Sequence, residues 1–284
     1  MFIRLPIRWL RDLPTALQQK QAFAPIAISY TYLFILIFAE VITTFVNSLV
    51  GLVLFSALLI GLMVHASKMS KHPIHDLLLS LALIPLLRLL SLSLPLHNFE
   101  EQYWQLIVAI PLLIAAFMTL GNMVRSRREV GLNLNLHFIR FPVQIFIVLL
   151  GFPLGYIDYT ILKPDALIEW VTWQEIVVPS LILLIGTGFV EEFIFRGLIQ
   201  HSAVGVMGKW GIVYVSILFA GFHIGFESAP HLALIFFIGL IFGWLVLKTK
   251  SILGVTFAHG LINIVILLLL PHSNGEISLD AFIQ

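Results

Sequence analysis

Three charged residues interrupt the otherwise apolar stretch GFVEEFIFRG at residues 188–197. An ionisable side chain at membrane depth costs about 2.5–3.5 kcal/mol or more, so it usually faces a cavity or a charged partner. On a helix, Glu192 and Arg196 lie on one face in the favourable order for an ion pair. Glu191 points about 100° away from Glu192 and would be free to face a polar cavity. The alternative is a buried structural cluster in which both carboxylates share the arginine.

Two later stretches also carry polar side chains within apolar runs. FAGFH places Phe219 and His223 on one helix face, and HGLIN does the same for His259 and Asn263. Together with the first stretch they supply a carboxylate, two imidazoles and an amide from three different predicted spans. Counted along helices at about 1.5 Å per residue, these groups come to comparable depths. We expect the site to open toward the cytoplasmic side.

The composition places these motifs in a membrane protein. Hydrophobic residues make up 60% of the 284 residues, charged residues make up 11%, and the mean hydropathy is +1.02. The chain has no cysteine, which excludes disulfides, thiolate nucleophiles and cysteine metal sites. The net charge of +1 gives no indication of a nucleic-acid partner. The predicted fold class is all-α, a polytopic membrane bundle of about eight or nine transmembrane helices.

Apolar runs long enough to cross a hydrocarbon core, about 20 residues each, predict nine spans. The boundary between the first two is the weakest, because TTFVNSLVG is a poor loop, so eight spans remain possible. The predicted spans are 24–45, 46–66, 77–95, 104–124, 138–157, 175–199, 211–228, 231–247 and 252–270.

Lysine and arginine predict the orientation, because they accumulate in cytoplasmic loops. Of the 16 basic residues, 13 fall in alternate loops on one side. The opposite loops carry acids, among them Asp158, and Lys163 is their only base. We therefore expect a multi-pass integral protein of a prokaryotic plasma membrane, with a cytoplasmic N-terminus and an external C-terminus.

The sequence divides into four parts. Residues 1–23 are a basic segment without the pattern of a signal peptide, either an amphipathic helix on the cytoplasmic leaflet or a disordered tail. Residues 24–157 hold predicted transmembrane helices without a motif, residues 174–270 carry all the motifs, and residues 271–284 form an external tail. Fifteen of the 19 glycines follow residue 150, which predicts close helix packing there. The pairs with four-residue spacing are Gly221 with Gly225 and Gly239 with Gly243.

Other ionisable residues in the apolar runs receive a structural interpretation. Glu40 and Arg88 are isolated in sequence and could pair with each other or reach an interface. Glu227 and His231 continue the face of FAGFH at four-residue steps. Because Pro230 is expected to end that helix, we interpret both as external interface residues.

Taken in order, the three motifs resemble the CPBP family of intramembrane proteases, which is named for CAAX proteases and bacteriocin-processing proteins. The resemblance covers about residues 174–270, in successive hydrophobic segments. The matching patterns are E-E-x-x-x-R at Glu191, Glu192 and Arg196, F-x-x-x-H at Phe219 and His223, and H-x-x-x-N at His259 and Asn263.

The resemblance implies hydrolysis of a peptide bond in a membrane-associated or lipid-modified protein or peptide. Glu191, helped by His223, would activate the attacking water. His259 and Asn263 would supply donors to the oxyanion. The remaining charges of the first motif would hold the base in place.

The resemblance leaves the metal requirement open. The site lacks the H-E-x-x-H pattern of soluble zinc proteases, so no metal need be required. Two histidines and a glutamate could nevertheless bind a divalent metal such as zinc, and the candidate ligands are Glu191, His223 and His259.

Two classes of non-enzymatic function compete with the protease. A scaffold or bacteriocin-immunity protein would keep the motifs for packing, and a proton-coupled transporter would use Glu and His as a relay. Inverted sequence symmetry between the two halves of the chain would favour a transporter, but the sequence lacks it. The expected partners are the lipid bilayer and a peptide or protein substrate, with no nucleic acid. The sequence does not predict an oligomeric state.

Overall fold

The computed structural model describes residues 15–123, 130–132, 141–169 and 172–272, and these form a bundle of helices. Seven of the described helices are long and apolar enough to cross a membrane, and two further apolar helices are shorter. The predicted all-α membrane bundle is thereby confirmed. Most of the predicted N-terminal segment and most of the predicted external tail lie outside the described residues.

We number the apolar helices of the described residues in chain order. Two of them are interrupted at one residue, Ala82 and Leu150, three residues before a proline that lacks the N–H for the regular helical bond. The helices are Thr15–Phe45 (α1), Ser48–Lys68 (α2), His75–Ser93 (α3), Glu101–Asn122 (α4), Phe141–Leu162 (α5), Glu175–Met207 (α6), Trp210–Phe226 (α7), Ala229–Thr249 (α8) and Leu253–Leu269 (α9).

The connection between α1 and α2 is a tight hairpin, which decides the weakest predicted boundary. Asn47 is the N-cap of α2, and its Oδ1 accepts from the backbone N–H groups of Leu49 at 2.9 Å and Val50 at 3.1 Å. A capped helix start satisfies donors that would otherwise have no partner. The stretch TTFVNSLVG therefore holds the end of one helix and the start of another.

The helices that carry the motifs pack against one another. The motif region of α6 packs against α9, which also packs against both parts of α5, and α7 packs against α8. α1 packs against both α2 and α7, which joins the N-terminal helices to the motif region. A continuous apolar core runs from Leu33 in α1 to Ile266 in α9.

The predicted glycine packing holds for both members of the second pair and for Gly221 of the first, where an added Cβ would lie 2.9 Å from Cγ1 of Ile37. A Cβ on Gly243 would lie 2.6 Å from Oε1 of Gln200, and one on Gly239 would lie 3.1 Å from the Ser216 side chain. At Gly225 the added Cβ would meet no atom within 4 Å. The second pair thus brings α8 close to its neighbours, whereas Gly225 takes no part in close packing.

α6 departs from regular α-helical geometry around the first motif. Leu183–Phe189 and Phe193–Ile199 are π-helical, and only Val190–Glu192 between them is α-helical. A π-helix bonds residue i to residue i+5 and is frequent at functional sites. The side chains of the motif are therefore set by an irregular helix rather than by a constant 100° per residue.

Candidate active site

Glu192 is the centre of a buried ionic cluster. Its Oε2 lies 3.3 Å from Nε of Arg196, and its Oε1 lies 3.0 Å from Nδ1 of His259. The side chains of Glu192 and Arg196 have no solvent exposure. The ion pair predicted from the four-residue spacing is confirmed, and it also anchors a histidine from α9.

Phe219 brings the three motifs together through its ring. The guanidinium carbon of Arg196 lies 4.6 Å from the ring centroid, within the range of a cation–π contact. The ring also makes edge-to-face contacts with His223 at 4.8 Å and with His259 at 6.0 Å between centroids. Phe219 therefore supports the buried arginine and the two histidines at once.

Glu191 and Glu192 differ in the residues they contact and in their solvent exposure. Its Oε2 lies 4.0 Å from Nε2 of His259, and its side chain is 26% exposed. His259 donates from Nδ1 to Glu192, so Nε2 is the nitrogen that faces Glu191. Two atoms 4.0 Å apart can both contact one water molecule at hydrogen-bond distance. The arrangement matches the predicted division between a pairing carboxylate and an accessible one.

The ring of His223 is fixed by its own helix. Nδ1 lies 2.8 Å from the carbonyl oxygen of Phe219. Because a carbonyl oxygen can only accept a hydrogen bond, Nδ1 carries the proton and Nε2 keeps a lone pair. His223 therefore offers the cavity a hydrogen-bond acceptor.

Asn263 is held by a residue that the sequence analysis missed. Its Nδ2 donates to Oγ1 of Thr187 at 2.7 Å, and that hydroxyl donates in turn to the carbonyl oxygen of Leu183. The hydroxyl can then only accept from Asn263, which fixes the amide nitrogen as the donor. One N–H of Asn263 is thus committed to Thr187, and the second is left for a ligand. No sequence spacing linked these two residues, which lie on different helices.

One cavity, with a volume of about 60 Å³, collects side chains from all three motifs. Glu191 is not among the lining residues, but its Oε2 lies 4.0 Å from Nε2 of His259, which is one of them. The polar and aromatic lining consists of Asp158, Glu192, Phe219, His223, Phe226, His231, His259 and Asn263, and the aliphatic lining consists of Leu162, Ile235, Ile238, Ile262 and Ile266.

A comparison with protein families points to the same helices. Residues 173–265 match the family described as type II CAAX prenyl endopeptidase Rce1-like. We call this segment Rce1-like for that similarity. The matched residues include all three motifs, and the family is one of proteases, which supports the general class of a CAAX-type intramembrane endopeptidase. Neither the curated proteins nor the solved structures include a significant match.

His231 lies in the Rce1-like segment, but its predicted position is wrong. It is 2% exposed and lines the cavity, and its Nδ1 lies 2.7 Å from Oδ1 of Asp158. Asp158, expected in an external loop, is buried within α5. The regular part of α7 ends at Gly221, and Pro230 stands in the first turn of α8, where proline is well tolerated. A new helix therefore turns His231 back to the cavity, while Glu227 stays exposed as expected.

The cavity of the Rce1-like segment lies in the half of the bundle away from the basic helix ends. Leu162 ends α5, and Phe226 and His231 flank the turn from α7 to α8. The turn from α8 to α9 holds Lys248 and Lys250, at the opposite end. The expectation that the site opens toward the basic, cytoplasmic end is wrong for this cavity. The count of depth along each helix predicted that the motifs lie close together. It could not show which end of the bundle holds the cavity.

The Rce1-like site does not fit the predicted metal ligands. Among the described residues, no group of three or more His, Cys, Asp or Glu side chains is placed to hold a metal ion. The Nδ1 bonds of His259 to Glu192 and of His223 to a backbone carbonyl leave both Nε2 atoms open, but these do not converge with a third ligand in the described part of the chain. We therefore derive no step through a metal bound by Glu191, His223 and His259.

Proposed function

We propose that this protein hydrolyses a peptide bond within the membrane by means of a water molecule that Glu191 activates. The observation that carries the proposal is the 4.0 Å approach of Glu191 to His259, whose side chain lines the cavity. Glu192, the other carboxylate of the motif, forms an ion pair with Arg196 and a hydrogen bond with His259. Glu191 is therefore the carboxylate of the first motif that is available to take a proton.

In the proposed reaction, Glu191 takes a proton from the water as its oxygen attacks the carbonyl carbon. A general base positioned in this way contributes typically about 10²- to 10⁴-fold. Nε2 of His223 accepts a hydrogen bond in the cavity and helps to orient the water. The carbonyl oxygen becomes an oxyanion, to which protonated His259 donates from Nε2 and Asn263 donates from its second N–H. Collapse of this intermediate re-forms the carbonyl group and breaks the C–N bond, and the nitrogen takes up one proton as it leaves as the amine.

The substrate we propose is a membrane-associated or lipid-modified protein or peptide. The aliphatic lining of the cavity suits an apolar side chain next to the scissile bond, and it consists of Leu162, Ile235, Ile238, Ile262 and Ile266. The buried position of the site among helices long enough to span a membrane supports access from the bilayer.

The test is cleavage of a peptide library by the purified protein in lipid nanodiscs. The library contains matched peptides with and without a lipid group, and mass spectrometry identifies the products. Glu191→Gln removes the base while keeping the shape of the side chain, and turnover should fall by about 10²-fold or more. Glu101→Gln, the same change at an exposed position, should have no effect.

The thermal unfolding temperature of Glu191→Gln should stay close to that of the wild type. Cleavage by this variant at the wild-type rate would contradict the assignment of the base. A wild-type protein that cleaves no peptide in the library would favour the scaffold instead.

A further inference from the structure

A second carboxylate–histidine pair lines the cavity outside the three motifs. Nδ1 of His231 lies 2.7 Å from Oδ1 of Asp158, and both side chains are 3% exposed. Asp158 belongs to α5 and lies outside the segment that matches the family. The pair therefore adds to the site a group that the family motifs do not contain.

The free nitrogen of His231 is available to a molecule in the cavity. Nε2 is buried and has no hydrogen-bond partner among the described residues. Nδ1 is held on Asp158, so Nε2 is the nitrogen that can serve a ligand in the cavity that His231 lines. The imidazole centroids of His231 and His223 are 5.7 Å apart, so His231 stands beside the residue that orients the water in the proposed reaction.

Peptide hydrolysis needs a proton donor as well as a base, because an amide nitrogen does not leave as an anion. His223 has no carboxylate to stabilise a second proton on Nε2, because its Nδ1–H is bonded to a backbone carbonyl. His259 is assigned to the oxyanion in the proposed reaction. His231 combines a nitrogen held by a carboxylate with a nitrogen free to give up a proton.

We propose that His231 is the general acid of the proposed hydrolysis and that Asp158 holds it in position. Protonated His231 gives its Nε2 proton to the amide nitrogen as the C–N bond breaks. Asp158 orients the ring and stabilises its positive charge before the transfer. The water has already formed the new C–O bond and lost a proton to Glu191, so one water and one peptide give one acid and one amine. The proton on Glu191 then returns to His231 through exchange with solvent.

The experiment compares two substrates with the same acyl part, a peptide and a thioester. A thiolate leaves without being protonated, so the thioester needs the base but not the acid. For His231→Gln, kcat on the peptide should fall by about 10²- to 10⁴-fold, and kcat on the thioester should fall less than tenfold. Equal losses on the two substrates, or no loss on either, would overturn the role of His231 as an acid.

Two further variants separate this inference from the proposed function on which it rests. Glu191→Gln should lose activity on both substrates, because both need an activated water. Full activity on both would overturn the proposed function itself. Asp158→Asn keeps a side chain of the same size beside His231 but removes the negative charge of the carboxylate. Its kcat on the peptide should therefore again fall more than its kcat on the thioester. Should His231→Gln fail to fold, an unchanged peptide-to-thioester ratio in Asp158→Asn would overturn the inference.

Discussion

Arg88 in α3 donates a hydrogen bond of 2.8 Å to the carbonyl oxygen of Phe222, the residue before His223 in α7. The same guanidinium donates from Nε to Glu40 in α1 at 2.7 Å and lies 5.2 Å from the centroid of the Phe222 ring. Carbonyl groups at the end of a helix lack partners within it, and here an arginine supplies one. The ion pair predicted as one option for Glu40 and Arg88 is confirmed, and it links the N-terminal helices to the site.

Arg88→Ala should lower both stability and activity. It leaves Glu40 buried without its partner and the carbonyl of Phe222 without its donor, a loss of about 3 kcal/mol or more. The end of α7 is then free to move, and we expect kcat to fall by about tenfold or more, since small displacements of catalytic groups are costly. Arg88→Lys keeps the charge but not the fork of donors, so it should recover more stability than activity. Unfolding and peptide cleavage measured on the same samples check this, and full activity in Arg88→Ala would contradict it.

Arg196→Ala should lower the stability of the fold more than it changes the exposed lining of the site. Glu192 would keep His259 but lose its cationic partner in a fully buried position, and breaking such a pair costs about 3–5 kcal/mol. Thermal unfolding in detergent measures the change. Phe219→Leu is the companion variant, because it keeps an apolar side chain under the guanidinium but removes the ring face. If Arg196→Ala unfolds at the wild-type temperature, the ion pair does not stabilise the fold.

Asn263→Ala should lower kcat by about 10²- to 10³-fold with little change in KM, because its donor acts on charge that develops in the transition state. Asn263→Asp should be worse, since a carboxylate repels the oxyanion. Thr187→Val removes the hydroxyl that holds the amide, so it should lower kcat by a smaller factor, about tenfold. Steady-state kinetics on one peptide distinguishes these outcomes. An Asn263→Asp variant with wild-type activity, or with tightly bound zinc and higher turnover, would make this a metal-ligand position instead.

Gly188→Ala should separate α6 from α9 and disconnect the first and third motifs. A Cβ at Gly188 would lie 2.8 Å from the carbonyl oxygen of Thr256 and 2.9 Å from the backbone nitrogen of Gly260. Backbone atoms cannot move aside as a side chain can, so the 3.0 Å contact between His259 and Glu192 should lengthen. We expect a fall in kcat of about tenfold or more. Gly121→Ala is the matched control, because a Cβ there meets no atom within 4 Å, and the prediction fails if the two variants behave alike.

The orientation can be checked with single cysteines, because the natural chain has none. Lys209 and Lys163 are both exposed and lie at opposite ends of the bundle. We expect a membrane-impermeant maleimide to label Lys209→Cys in inside-out vesicles and Lys163→Cys in right-side-out vesicles. The reverse pattern would invert the predicted topology. The expected pattern would also put the cavity in the outer half of the membrane, since it lies on the side of Leu162.

The part of the site that the sequence predicted depends on local spacing. Glu192 with Arg196, and Phe219 with His223, are neighbours because one turn of one helix brings them together. Asp158 with His231, and Thr187 with Asn263, meet across helices that are far apart in the chain, and no residue spacing encodes such a contact. The side of the bundle that holds the cavity likewise depends on how helices of unequal length pack.

The π-helical segments of α6 make the effect of a deletion depend on its position. A π turn contains more residues than an α turn, so deletion of one residue within Leu183–Phe189 would allow a regular α-helix to form there. Because the π segment already holds the extra residue, Glu191 and Glu192 would then keep nearly the same direction relative to the start of the helix. Deletion of one residue in the α-helical part before it, Trp173–Ile182, would instead rotate both side chains by about 100°. Single deletions along α6 should therefore retain more activity inside the π segment than before it, although each shortens the helix by the same one residue.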